Sequence, residues 1–156
     1  DVGEILPIGK GRIIRNGGDD LAILSLGTRL AASFEAAERL AVNGLNATIA
    51  DARFAKPLDT DLIDDLAVTH ESLLIVEEGS PGGFSAHVMT YLANQGHLDG
   101  PLKVRALTLP DKFIDHDSQP GQLASAGLDT DGIYSAAKNL LPQSSKKLVR
   151  KKAKGA

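Results

Sequence analysis

Three short runs hold most of the residues in this sequence that could do chemistry. The first is Gly27-Thr28, which directly follows an apolar stretch. A helix that begins just past a glycine can hold an anion on its free backbone N–H groups. No further glycine occurs between Thr28 and Glu35, so the dinucleotide fingerprint is absent, and no Gly-Lys-Ser/Thr makes a phosphate loop. Packing of a helix on a strand is the plainer reading. The second run is Asp51-Ala52-Arg53-Phe54-Ala55-Lys56-Pro57-Leu58-Asp59. Pro57 biases Lys56 toward extended backbone. Asp51 and Arg53 suit an ion pair, and Asp59 suits a helix N-cap. The functional alternative offers Arg53 to a carboxylate on a neighbouring domain or ligand. The third run is Glu77-Glu78-Gly79-Ser80-Pro81-Gly82-Gly83-Phe84. Adjacent strand residues point to opposite faces, so these carboxylates are no matched acid–base pair. Gly82 and Gly83 permit close backbone approach or positive φ. A subunit contact would use that freedom, and so would a ligand cradle.

The histidines add little. No two have metal-ligand spacing on one helix. His70 reads as a solvated helix end, His87 as outward-facing on a helix, and His97 as part of a polar loop. His116 stands between Asp115 and Asp117, which would favour its charged form if they lay close. It reads as a loop-ordering hydrogen-bonding group before it reads as catalytic. No Gly-x-Ser-x-Gly elbow presents a nucleophilic serine. There are no cysteines, which excludes disulfides, thiolate metal sites and a cysteine nucleophile.

These runs need elements to hold them. Residues 11–15 predict a short strand, followed by a turn at Asn16-Gly17-Gly18-Asp19. The continuous apolar runs at 21–26 and 72–76 predict strands buried on both faces. Residues 47–50 and 103–109 predict two more. Helices are expected after Thr28, which would cap the first, and from Asp59 or Thr60, from Phe84 to Ala93, and around 122–126 and 131–141. Asn43-Gly44 closes the first helix. Alternating strands and helices imply an α/β three-layer open sheet, mostly parallel, with helices on both faces. The 11–15 strand, joined to 21–26 by its turn, is expected as an antiparallel edge. The domain is expected over 11–142, after a lead-in linker at 1–10.

A length of 156 residues with 42% hydrophobic and 24% charged residues suits one domain and excludes disorder over most of it. No apolar stretch reaches the roughly 18 residues of a membrane-spanning helix. The formal charge of −3 hides six basic and no acidic residues between Ser144 and Ala156, which leaves −9 on the rest. An acidic body with a basic, solvated tail over 143–156 is no nucleic-acid face. The chain begins at Asp1 with no signal-like segment, which suggests a processed or excised piece. The residues alone leave three classes open: a small-ligand domain, an oligomerisation domain of a larger enzyme, or a protein-interaction module.

Taken in order, the runs carry a resemblance. Leu6–Gly11, Leu21–Leu24 with Gly27-Thr28, Asp51–Asp59, Val76–Phe84, Leu109-Pro110-Asp111-Lys112-Phe113-Ile114-Asp115-His116, Ala126–Asp129 and Gly132-Ile133 together resemble the C-terminal domain of the 1-deoxy-D-xylulose-5-phosphate synthase family. That family is of transketolase type. The resemblance implies an enzyme that condenses pyruvate with glyceraldehyde 3-phosphate and releases CO₂, supplying isoprenoid, thiamine and pyridoxal synthesis. It implies thiamine diphosphate and Mg²⁺ in the whole enzyme, with neither held by this domain. The expected partners are the other two domains and a second copy of the full enzyme, with no nucleic acid and no membrane, in a bacterial cytoplasm. The family's Gly-Asp-Gly motif and its activating Glu lie in other domains, and no Gly-Asp-Gly occurs here. No catalytic, cofactor or metal residue is therefore assigned. Arg53, Asp59, Glu78, Gly82, Gly83, Asp115 and His116 are the candidate domain or subunit contacts. A β subunit of a 2-oxoacid dehydrogenase is the related alternative, and the Leu109–His116 loop argues against it.

Overall fold

The computed structural model describes residue 3 and residues 5–141, so the basic tail lies outside the described residues. Five strands are described: β1 Arg12–Arg15, β2 Ala22–Leu26, β3 Thr48–Asp51, β4 Ser72–Glu77 and β5 Lys103–Leu107. They form one sheet in the order β1-β3-β2-β4-β5. β2 runs parallel to β3 and β4, β5 runs parallel to β4, and β1 is antiparallel to β3. The helices are α1 Leu30–Val42, α2 Thr60–Thr69, α3 Phe84–Asn94, α4 Gln119–Ser125 and α5 Thr130–Leu140.

The continuous apolar strands follow from cover on both faces. Leu21, Ile23, Ile49, Leu74 and Val76 face α1, α4 and α5. Ala22, Leu24, Ala50, Leu73 and Ile75 face α2 and α3. The alternation of side chains along each strand thus feeds two separate cores. Helix ends obey their local signals. Gly44, at φ +86, closes α1, with its N–H on the Ala41 carbonyl and the Leu45 N–H on that of Leu40. Asp59 caps α2, Ser118 caps α4 and Asp129 caps α5.

Two expectations need correction. β1 is an antiparallel edge strand, but it pairs with β3 and not with the 21–26 strand that follows it. The reason lies in the turn: the Gly18 N–H bonds the Asn46 carbonyl, and a Cβ on Gly17 would sit 2.3 Å from the Ala47 carbonyl carbon. These glycines let the chain cross tightly against the start of β3. Thr28 does not cap α1, because a short 3₁₀ turn over Gly27–Arg29 intervenes. The residues before β1 are also held in place. The Gly11 N–H and Lys10 Nζ both reach Asp59. No described helix is long and apolar enough to cross a membrane.

Candidate functional site

All four parallel strands end at one edge of the sheet. From β2 the chain passes through α1 to β3 in one direction along the sheet, and from β4 through α3 to β5 in the other. The connections therefore part between β2 and β4, where open α/β sheets form a ligand crevice. Here the chain fills that crevice with its own groups. Glu78 Oε2 accepts a hydrogen bond from Thr28 Oγ1 at 2.5 Å and lies 3.2 Å from Arg29 Nε. Arg29 Nη1 also donates to the Leu128 carbonyl at 3.3 Å. Glu77 turns the other way and is 4% exposed. It accepts from the Phe84 N–H (3.0 Å), the Ser85 N–H (2.8 Å) and Ser85 Oγ (2.7 Å). A carboxylate thus occupies the positive start of α3. Gly83 makes room for it, since a Cβ there would lie 2.6 Å from Glu77 Oε2. Gly82 serves the other need, a φ of +100°.

At the end of β3, Asp51 Oδ2 accepts from Arg12 Nε at 3.2 Å, and Asp51 Oδ1 accepts from the Arg53 N–H at 3.2 Å. Arg53 has φ +58, in the left-handed region. Its Nε lies 3.8 Å from Asp51 Oδ2. Asp59 is turned into the fold, accepting from the Gly11 N–H (2.9 Å), Lys10 Nζ (3.1 Å) and the Leu62 N–H (3.3 Å). Burial pushes its pKa up, but these donors outweigh burial and hold the carboxyl below its ordinary value. Lys10 is raised in turn, chiefly by its hydrogen bonds to Asp61 and Asp59.

The loop after β5 completes the edge. The Leu109 N–H bonds the Gly79 carbonyl at 2.8 Å, and Gln122 Nε2 bonds the Asp115 carbonyl at 3.2 Å. Asp115 and His116 are exposed, and neither side chain has a partner among the described residues. The expected ordering hydrogen bond from His116 is absent; Leu109 and Gln122 order the loop instead. His70 is not a solvated helix end either: its Nε2 lies 2.9 Å from Thr48 Oγ1 and its Nδ1 3.1 Å from the Leu66 carbonyl. Sequence reasoning missed Phe113, which is fully exposed beside a groove of about 640 Å³ lined by Ser80, Leu109, Pro110 and Ile114. Its signal was an aromatic ring in a polar, proline-led loop with no helix or strand period to bury it. The edge therefore gathers Arg53, Glu78, Gly82, Gly83, Asp115 and His116, whereas the Asp59 carboxylate is used within the fold.

Residues 9–133 match the family described as transketolase, C-terminal domain. The chain belongs to the transketolase C-terminal domain family. It is similar, at 28% identity and a TM-score of 0.77, to a solved structure described as "Split gene transketolase, inactive beta4 tetramer", covering 87% of this chain and 43% of that one. A transketolase mutant from Pichia stipitis, in complex with xylulose 5-phosphate, shares the fold at a TM-score of 0.59 and 14% identity, over 85% of this chain and 18% of that one. The chain thus spans less than half the length of either.

Transketolase-type enzymes use thiamine diphosphate, which tests the edge in one more way. A diphosphate with its metal needs N–H groups or cations facing it, and carboxylates free to ligate. Here the start of α3 already holds Glu77, Arg29 is paired with Glu78, and no group of acidic or histidine side chains among the described residues could hold a metal. These residues do not fit the cofactor, and no chemical step is assigned to them.

Proposed function

We propose that this chain is the C-terminal domain of a thiamine-diphosphate enzyme of the 1-deoxy-D-xylulose-5-phosphate synthase type, and that its part is assembly. In this reading it supports the condensation of pyruvate with glyceraldehyde 3-phosphate by holding the other two domains and a second full-length copy in place. One observation carries the assembly role. Both anion-holding positions at the strand-end edge are filled by the chain's own Glu77 and Glu78, while Arg53, Phe113 and Asp115 stand beside them under-partnered. The synthase-type reading rests on the paired runs Arg53–Asp59 and Leu109–His116. The similar "inactive beta4 tetramer" is compatible with a transketolase chain that assembles without turning over.

The test is calorimetric titration of these 156 residues with thiamine diphosphate and Mg²⁺, beside a turnover assay with both substrates. No heat of binding and no product are expected. Micromolar binding or measurable turnover would overturn the assembly role.

A further inference from the structure

We infer that a cleft on the opposite edge, where β4 and β5 begin, receives the chain's own basic segment Lys146–Lys152, with Leu148 and Val149 against its apolar wall. None of the cleft's residues belongs to the strand-end edge.

The cleft holds about 630 Å³ between the last turn of α2 and the segment that leads into β5. Val68, Pro101 and Leu102 form its apolar wall. Leu62, Ile63 and Leu66 turn α2 toward the core, whereas Val68 stands off that face and is 70% exposed. Covering such a wall removes apolar surface from water. The histidines that line the cleft are already used. His70 meets Thr48 and the Leu66 carbonyl, and His97 Nε2 lies 2.9 Å from Asp64 Oδ1. Glu71 also lines it, exposed and with no side-chain partner among the described residues.

The charge around the wall is negative. α2 ends at the cleft with no basic residue in its last turn, so the negative pole of the helix is left unneutralised. Asp19, whose carbonyl accepts the Glu71 N–H, and Asp99, two residues before Pro101, are exposed and likewise without side-chain partners among the described residues. Against these stands Lys103 at the rim. The chain carries the complement. Leu148-Val149 sits between Lys146-Lys147 and Arg150-Lys151-Lys152, and no acidic residue follows Ser144.

Placement joins segment and cleft. Ser72 Oγ donates to the Leu140 carbonyl at 3.4 Å, so α5 ends beside the start of β4. Ser72 directly follows Glu71 and pairs with Lys103 across the ladder. Lys147 comes six residues after Leu141, a reach of up to about 20 Å. A tether this short holds the segment at roughly millimolar effective concentration, where contacts too weak for a separate peptide suffice.

The chain has no cysteine, so a nitroxide on Ala153→Cys is a unique label that leaves the segment intact. Amide relaxation in the full chain then reads the contact. Broadening is expected at Val68, Thr69, Glu71 and Lys103, and not at Gly79, Gly82 or Gly83. Glu71→Lys should weaken it about threefold, and about 1 M salt should weaken it as well. Glu71 is exposed, so circular dichroism should be unchanged. Leu148→Ser with Val149→Ser should also weaken the broadening. Mixing nitroxide-bearing copies with isotope-labelled copies that lack the nitroxide should give none. Broadening without preference for the cleft, broadening that ignores Glu71→Lys and salt, or broadening equally strong between mixed copies overturns the inference.

Discussion

Glu77 and Glu78 are separated by one peptide bond and have opposite fates. Strand alternation made that split legible in advance. It did not say which carboxylate would be buried, because that depends on where α3 starts. Glu77 is buried as an acceptor for three donors, with Gly83 leaving the space. Removing it strands the Phe84 and Ser85 groups without partners. Glu77→Ala should therefore cost about 3 kcal/mol, and Glu78→Ala, a partly exposed ion pair, less than about 1 kcal/mol. Gly83→Ala should also destabilise, by driving a methyl into the Glu77 carboxylate. Urea unfolding of the two single variants and the Glu77→Ala/Gly83→Ala pair measures the coupling. The pair should cost clearly less than the two effects added. Strict additivity would mean that Gly83 does not serve Glu77.

At the scale of elements, the lead-in to β1 and the start of α2 act as one unit, joined by Lys10, Gly11 and Asp59. A Cβ on Gly9 would lie 2.7 Å from Pro57 Cγ, so the contact is close along its length. The Asp59 pKa is lower folded than unfolded, so its contribution to stability is complete above the ordinary carboxyl range. That contribution fades as pH falls through the folded value. The gap in urea midpoint between the wild type and Asp59→Asn should be widest near pH 6 and narrow below about pH 4. A gap that does not change with pH would remove Asp59 as the charged centre of this joint. The helices and the central strands were legible because their periods are local: Leu62, Ile63 and Leu66 repeat at helical spacing, and Leu73 to Val76 form one apolar run. Partnership was not local. A glycine pair after β1 looks like a hairpin turn, and only the meeting with Asn46 and Ala47 shows its other use. Likewise nothing next to Thr28 in sequence announces Glu78, fifty residues on, as the acceptor of its hydroxyl.

The whole molecule is a sheet with a core on each face and an exposed strand on each side. Such sides invite pairing with other chains. β1 is flanked by Arg12 and Arg15, and β5 carries Lys103 and Arg105. Replacing Lys103 and Arg105 with valine should leave the fold intact and raise light scattering on storage or mild warming. A variant that stays as clear as the wild type would show that these cations do not guard the edge. The strand order has one more effect, and it belongs to time. β1 precedes β2 in the chain but can pair only with β3, which ends at Asp51. On a ribosome, Arg12 to Arg15 emerges and waits while α1 and β3 are still being made. Ile13 spends that interval without the β3 neighbour that later half-covers it, whereas Ile14 stays exposed even in the finished sheet, and an arginine on either side is the kind of charged neighbour that keeps such a pair from associating.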